Sequence, residues 1–77
     1  MNIKTLETIH NLLNENVRTA YEGKERCAKL LNAYEERLEN GENVSVTTKK
    51  FKEVYEEYIH KYFEALDALS DFEENQF

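Results

Sequence analysis

The side chains best suited to chemistry are two histidines, one cysteine and a surplus of carboxylates. Glu7-x-x-His10 and Glu57-x-x-His60 repeat the Glu-x-x-His triplet that sets two metal ligands on one face of a helix in di-iron bundles. A shared metal needs such triplets level with one another and facing inward. The helical pattern described below puts His60 on a polar face and the two triplets at different heights, so neither a metal site nor a cofactor is expected. Cys27 falls on an apolar seam, where a buried thiol packs as an inert small hydrophobe. Glycine occurs only at Gly23 and Gly41, which rules out a glycine-rich phosphate loop. No catalytic residues emerge, and the chain is not expected to be an enzyme.

A second acidic constellation, Glu35-Glu36-x-x-Glu39 followed by Glu64-x-x-Asp67, resembles the signature of the all-helical MazG-type nucleotide pyrophosphohydrolases. The resemblance covers those five residues and implies a magnesium ion held between two helices. In an antiparallel pair joined near residue 40, Glu39 and Glu64 would stand on the order of 20 Å apart at 1.5 Å per residue. That is too far for one ion, so a solvated acidic helix face is expected instead.

The elements that must position these groups follow from composition and periodicity. The chain has 77 residues, no proline, and 34% charged against 40% hydrophobic residues. This profile favours helix and carries too many aromatics for a disordered chain. The net charge is −6, and its excess lies at the C-terminal end. No Lys or Arg follows Lys61, whereas Glu64, Asp67, Asp71, Glu73 and Glu74 do. Direct nucleic-acid binding, which needs clustered cations, is therefore not expected. No apolar run approaches the ~18 residues of a membrane span, and no basic start precedes an apolar block as in a signal peptide. A single cysteine fits a reducing, cytoplasmic setting.

Apolar residues recur at alternating steps of three and four. The first seam runs Ile3, Leu6, His10, Leu13, Val17, Ala20, Lys24, Cys27, Leu31, Tyr34 and Leu38, predicting a helix over residues 3–39. The second runs Phe51, Tyr55, Tyr58, Tyr62, Ala65, Leu69 and Phe72, predicting a helix over 48–72, with a loop over 40–47 and an acidic tail over 73–77. Gly41 suits the helix C-cap. Thr47, with Ser45 competing, suits the next N-cap, with Val46 and Phe51 as a hydrophobic staple. The expected fold is all-α, a single domain built as a long antiparallel hairpin, coiled-coil-like in its seam. A break at Gly23 giving a three-helix bundle is the alternative. Residues whose numbers add to roughly 87 should lie level, given helix ends near residues 39 and 48. That register places Lys49, Lys50 and Lys52 beside Glu35, Glu36 and Glu39, and Glu64, Asp67 and Asp71 near Arg18 and Lys24. It also sets the small residues Ala20, Gly23, Cys27 and Ala28 against Ile59, Tyr62, Phe63 and Leu66.

Each apolar face is wider than one helix contact uses, and a shorter second helix would leave the first turns of helix 1 bare. Ile3, Leu6, Ile9, Leu12, Leu13 and Val17 are therefore expected to drive self-association, with a two-fold dimer forming a four-helix bundle. Asp67, Asp71, Phe72, Glu73, Glu74 and Phe77 form a candidate docking segment for a basic protein partner, with the phenylalanines as anchors. The expected function is that of a small interaction or adaptor protein. The alternative is an acidic inhibitor of the kind found in phages and mobile elements, mimicking nucleic acid to block a nucleic-acid-binding protein.

Overall fold

Asn2 opens the first helix. Its side-chain oxygen accepts a hydrogen bond from the Thr5 amide at 2.8 Å, satisfying one of the backbone donors that a helix start leaves unpaired. The computed structural model describes residues 2–76. In it, α1 spans Ile3–Glu39 and α2 spans Ser45–Gln76. The described chain is 92% helical and contains no strand.

α1 ends in a Schellman turn. Gly41 adopts φ +87°, a left-handed conformation that suits a residue without Cβ. The Gly41 amide donates to the Leu38 carbonyl at 3.0 Å and the Glu42 amide donates to the Arg37 carbonyl at 3.1 Å. Arg37 Nε also donates to Glu42 Oε1 at 3.0 Å, closing the same turn through side chains. That hydrogen bond raises the Arg37 pKa above its ordinary value.

This tight turn lets the second helix start earlier than its side chains suggest. Val44 takes the N-cap position, its carbonyl accepting from the Thr48 amide at 2.9 Å. The Thr48 hydroxyl donates to the same carbonyl at 2.6 Å, so Thr48 faces the seam buried yet satisfied. Thr47 is consequently helical and not a cap. Val46 is largely exposed, and the expected staple with Phe51 does not form. At the other end the residues read as an acidic tail continue α2 to Gln76.

α1 is unbroken through Gly23, which sets aside the three-helix alternative. The missing side chain serves a close helix crossing. A Cβ at Gly23 would lie 2.7 Å from Cδ1 and 3.0 Å from Cζ of Tyr58, inside ordinary carbon–carbon contact. The small-against-large packing thus involves Tyr58, whereas Phe63 points outward and is 57% exposed.

The two helices form a rod of 59 × 15 × 13 Å. From Leu6 to Tyr34 every α1 seam position is at least half-buried, as is every α2 seam position from Phe51 to Phe72. The end positions Ile3 and Leu38 are exposed. The register is about one helical turn from the expected one. His10 meets Glu73, Tyr21 meets Tyr62 and Tyr34 meets Phe51, so level numbers add to between 83 and 85. The offset arises because α2 begins at Ser45, not near Thr48.

Candidate interaction surface

At the end of the rod away from the loop, His10 Nε2 lies 2.9 Å from Glu73 Oε2, and its ring stacks on Phe72 at 5.9 Å with a 17° interplanar angle. In the tautomer protonated at Nε2, the imidazole donates to the carboxylate. Phe72 and Glu73 are therefore part of the hairpin's own packing. Phe72 is half-buried and is not the free anchor that the docking reading needs. Asp67, Asp71 and Glu74 are exposed, and Asp71 Oδ1 accepts from Asn75 Nδ2 at 3.0 Å. Phe77 lies outside the described residues. Because α2 reaches Gln76, which the His10–Glu73 contact sets level with about residue 7, only the first turn of α1 extends beyond it. Leu6, Ile9, Leu13 and Val17 are half-buried, leaving Ile3 and Leu12 as the exposed members of the expected self-association set.

The cross-helix pairs expected between Lys49, Lys50 and Lys52 and the acids closing α1 are not formed. Among the described residues the polar side-chain contact joining the helices is the hydrogen bond between His10 and Glu73. Arg18 pairs with Glu15 and Arg26 with Glu22 on their own helix. In the register set by Tyr34 and Phe51, Lys49 and Lys50 still lie level with Glu36 and Glu35, but the lysines and Glu35, Glu36 and Glu39 are all exposed, turned to solvent rather than across the seam. Glu64 lines a groove with Asn16 and Thr19, whereas Glu39 ends α1 twenty residues beyond Thr19, about 30 Å along the axis at 1.5 Å per residue. The five acids of the magnesium signature therefore do not converge. Among the described residues no three His, Cys, Asp or Glu side chains gather as a metal site. Nor is any helix long and apolar enough to cross a membrane.

Lys24 occupies a seam position by lying over aromatic faces. Its ammonium sits 5.0 Å from the Tyr21 ring centroid and 5.7 Å from that of Tyr62, and donates to Glu25 Oε1 at 2.9 Å. The Glu25 hydrogen bond raises its pKa above the ordinary lysine value, and partial desolvation works against that shift. The long side chain covers apolar surface while its charge stays paired. Sequence reading placed Lys24 in the seam without finding this role. The signal was a lysine flanked at three and four residues by Tyr21 and Ala28 on a helical face.

The two sides of the rod differ. One carries Tyr21, Tyr62 and Phe63, with Tyr62 5.7 Å from Tyr21 and 5.9 Å from Phe63; Lys24 and Glu25 lie over it. The other holds an open groove of about 450 Å³ lined by Asn16, Thr19, Ala20, Tyr58, Lys61, Glu64 and Ala65. Leu12 stands one turn before Asn16, Leu30 two turns after Gly23, and Val54 one turn before Tyr58. Helical spacing sets all three on the groove side. They are 59%, 46% and 38% exposed. No family model, curated protein or solved structure matches this chain.

Proposed function

We propose that this chain is a protein–protein interaction module without catalytic activity, and that its first partner is a second copy of itself. The observation that carries this reading is the area the hairpin exposes. It presents 5,937 Å², whereas a compact monomer of 9.2 kDa exposes about 4,900 Å². Its radius of gyration is 17.4 Å, against about 11–12 Å for a compact chain of this length. Among the described residues, only Ala20 and Leu31 are buried hydrophobics. The surplus of about 1,000 Å² is close to the ~800 Å² that each partner contributes to a standard interface. Two hairpins side by side make a four-helix bundle, which supplies the core that one hairpin lacks. The free thiol of Cys27 fits a reducing, cytoplasmic compartment.

Sedimentation across a range of concentrations tests the proposal. A monomer–dimer equilibrium, with a melting midpoint that rises with concentration, supports it. A monomer at all micromolar concentrations with a constant midpoint refutes it.

A second reading draws on the outer face of α2. Glu53, Glu57, Glu64 and Asp71 are exposed there at steps of four and seven, one polar stripe along the rod. Such a face suits an acidic inhibitor that occupies a basic nucleic-acid-binding surface. Affinity for a basic partner that falls steeply with added salt and is lost on Glu57→Lys with Glu64→Lys supports it. Salt-independent affinity refutes it.

A further inference from the structure

We infer that a second copy of this chain docks on the face carrying Leu12, Leu30 and Val54 around the central groove, and that the opposite, aromatic face stays in solvent. This inference rests on the self-association reading above and adds the surface used.

The shape of the two faces distinguishes them. On the groove side, the middle of α1 is thin, with Thr19, Ala20 and Gly23, and the crossing at Gly23 lets Tyr58 sit deep. Ala65 continues the floor from α2. Thin floors let another helix pair approach closely. Leu12 and Leu30 flank this floor along α1, with Val54 on α2 near the level of Leu30. Projecting leucines beside a shallow groove supply both the knobs and the holes of a knobs-into-holes contact. A two-fold interface must also match itself. The groove rim carries one cation, Lys61, and one anion, Glu64, so self-pairing adds no excess of one charge.

The aromatic side lacks these properties. Lys24 and Glu25 form a hydrogen-bonded ion pair over Tyr21 and Tyr62, so the long lysine side chain already covers those rings. Tyr21 and Tyr62 already use one another and Lys24 as ring partners. The area argument fixes the occupant, because one face of the rod, covered by an equal rod, accounts for a surplus of the size a dimer buries per partner.

Sedimentation of the full chain and two double variants tests the inference, with helicity checked by circular dichroism. Leu12→Glu with Leu30→Glu places two charges on the groove side at exposed positions, and the dimer should weaken about 100-fold or more. Tyr21→Glu with Phe63→Glu should change the dissociation constant by about threefold or less. Should either double variant lose helicity, maleimide labelling gives the same decision. In a Cys27→Ser background, Leu30→Cys should react about tenfold more slowly at dimer-forming concentrations than when dilute, and Phe63→Cys should react at one rate throughout. A wild-type dimer that survives the groove-side change and dissociates on the aromatic-side change overturns the face assignment while leaving self-association intact. So does equal protection of both cysteines. A monomeric wild type overturns both.

Discussion

The crossing at Gly23 lends itself to a decisive test, because two effects of known size oppose each other there. Gly23→Ala should gain about 1 kcal/mol from helix propensity alone. In the hairpin the new methyl meets the Tyr58 ring, with Cδ1 at 2.7 Å and Cζ at 3.0 Å, where unstrained carbons sit about 3.5–4.0 Å apart. Relief requires the ring, or the helices, to shift by close to 1 Å. Lys61 Nζ lies over the same ring, 5.1 Å from its centroid, and moves with it. Forcing a methyl into a packed seam costs about 1–3 kcal/mol, so the net effect should be a loss of about 1 kcal/mol, or about 4–8 °C in Tm for a chain of this size. With Tyr58→Ala as background the clash disappears, and the same change should stabilise by about 1 kcal/mol. The double-mutant cycle should therefore show a coupling of about 1–3 kcal/mol. Urea unfolding followed by circular dichroism, at one fixed protein concentration, provides all four stabilities. If Gly23→Ala raises stability equally in both backgrounds, the close crossing is wrong and Gly23 faces open space.

Other changes probe the seam, the turn and the rod's end. Leu31→Asp buries a charge without a partner and should cost about 3 kcal/mol or more, enough to abolish the helical signal at 25 °C; an unchanged melt would contradict the seam. Gly41→Ala strains a position at φ +87° and should lower stability by about 1 kcal/mol, measured by thermal melting, whereas a neutral result would argue against the Schellman turn. His10→Ala removes a hydrogen bond to Glu73 between side chains 29% and 50% exposed together with a ring contact on Phe72. It should cost about 1 kcal/mol and speed hydrogen exchange in the last turns of α2, and equal exchange in both proteins would detach His10 from that helix. His60→Ala, on the exposed face, should stay within about 0.5 kcal/mol of wild type, and a larger shift in its melt would place His60 in a packed contact.

Of the fold, the two seams were legible in the sequence. Steps of three and four between apolar residues are a property of a single helix, and burial follows them from Leu6 to Tyr34 and from Phe51 to Phe72. Gly41 was legible as a cap because few other residues adopt its backbone conformation. The start of α2 was not. Ser45, Thr47 and Thr48 all suit a helix start by side-chain type, and the choice fell to the backbone of the Asn40–Val44 turn and to Thr48 bonding back to Val44. Three residues at that start shift the register by about a turn along the whole rod. Phe72 and Glu73 are thereby brought onto His10.

The candidate surface divides the same way. Composition and periodicity were sufficient to define a helical chain with more apolar face than one partner helix covers, since those properties belong to each helix separately. Which residues remain in water depends on how two helices cross and where each one ends. Only the tertiary structure decided that Ile9, outside the seam, is half-buried while Leu12, Leu30 and Val54 flank an open groove, because that outcome is set by the approach at Gly23 and by an α2 that runs on to Gln76.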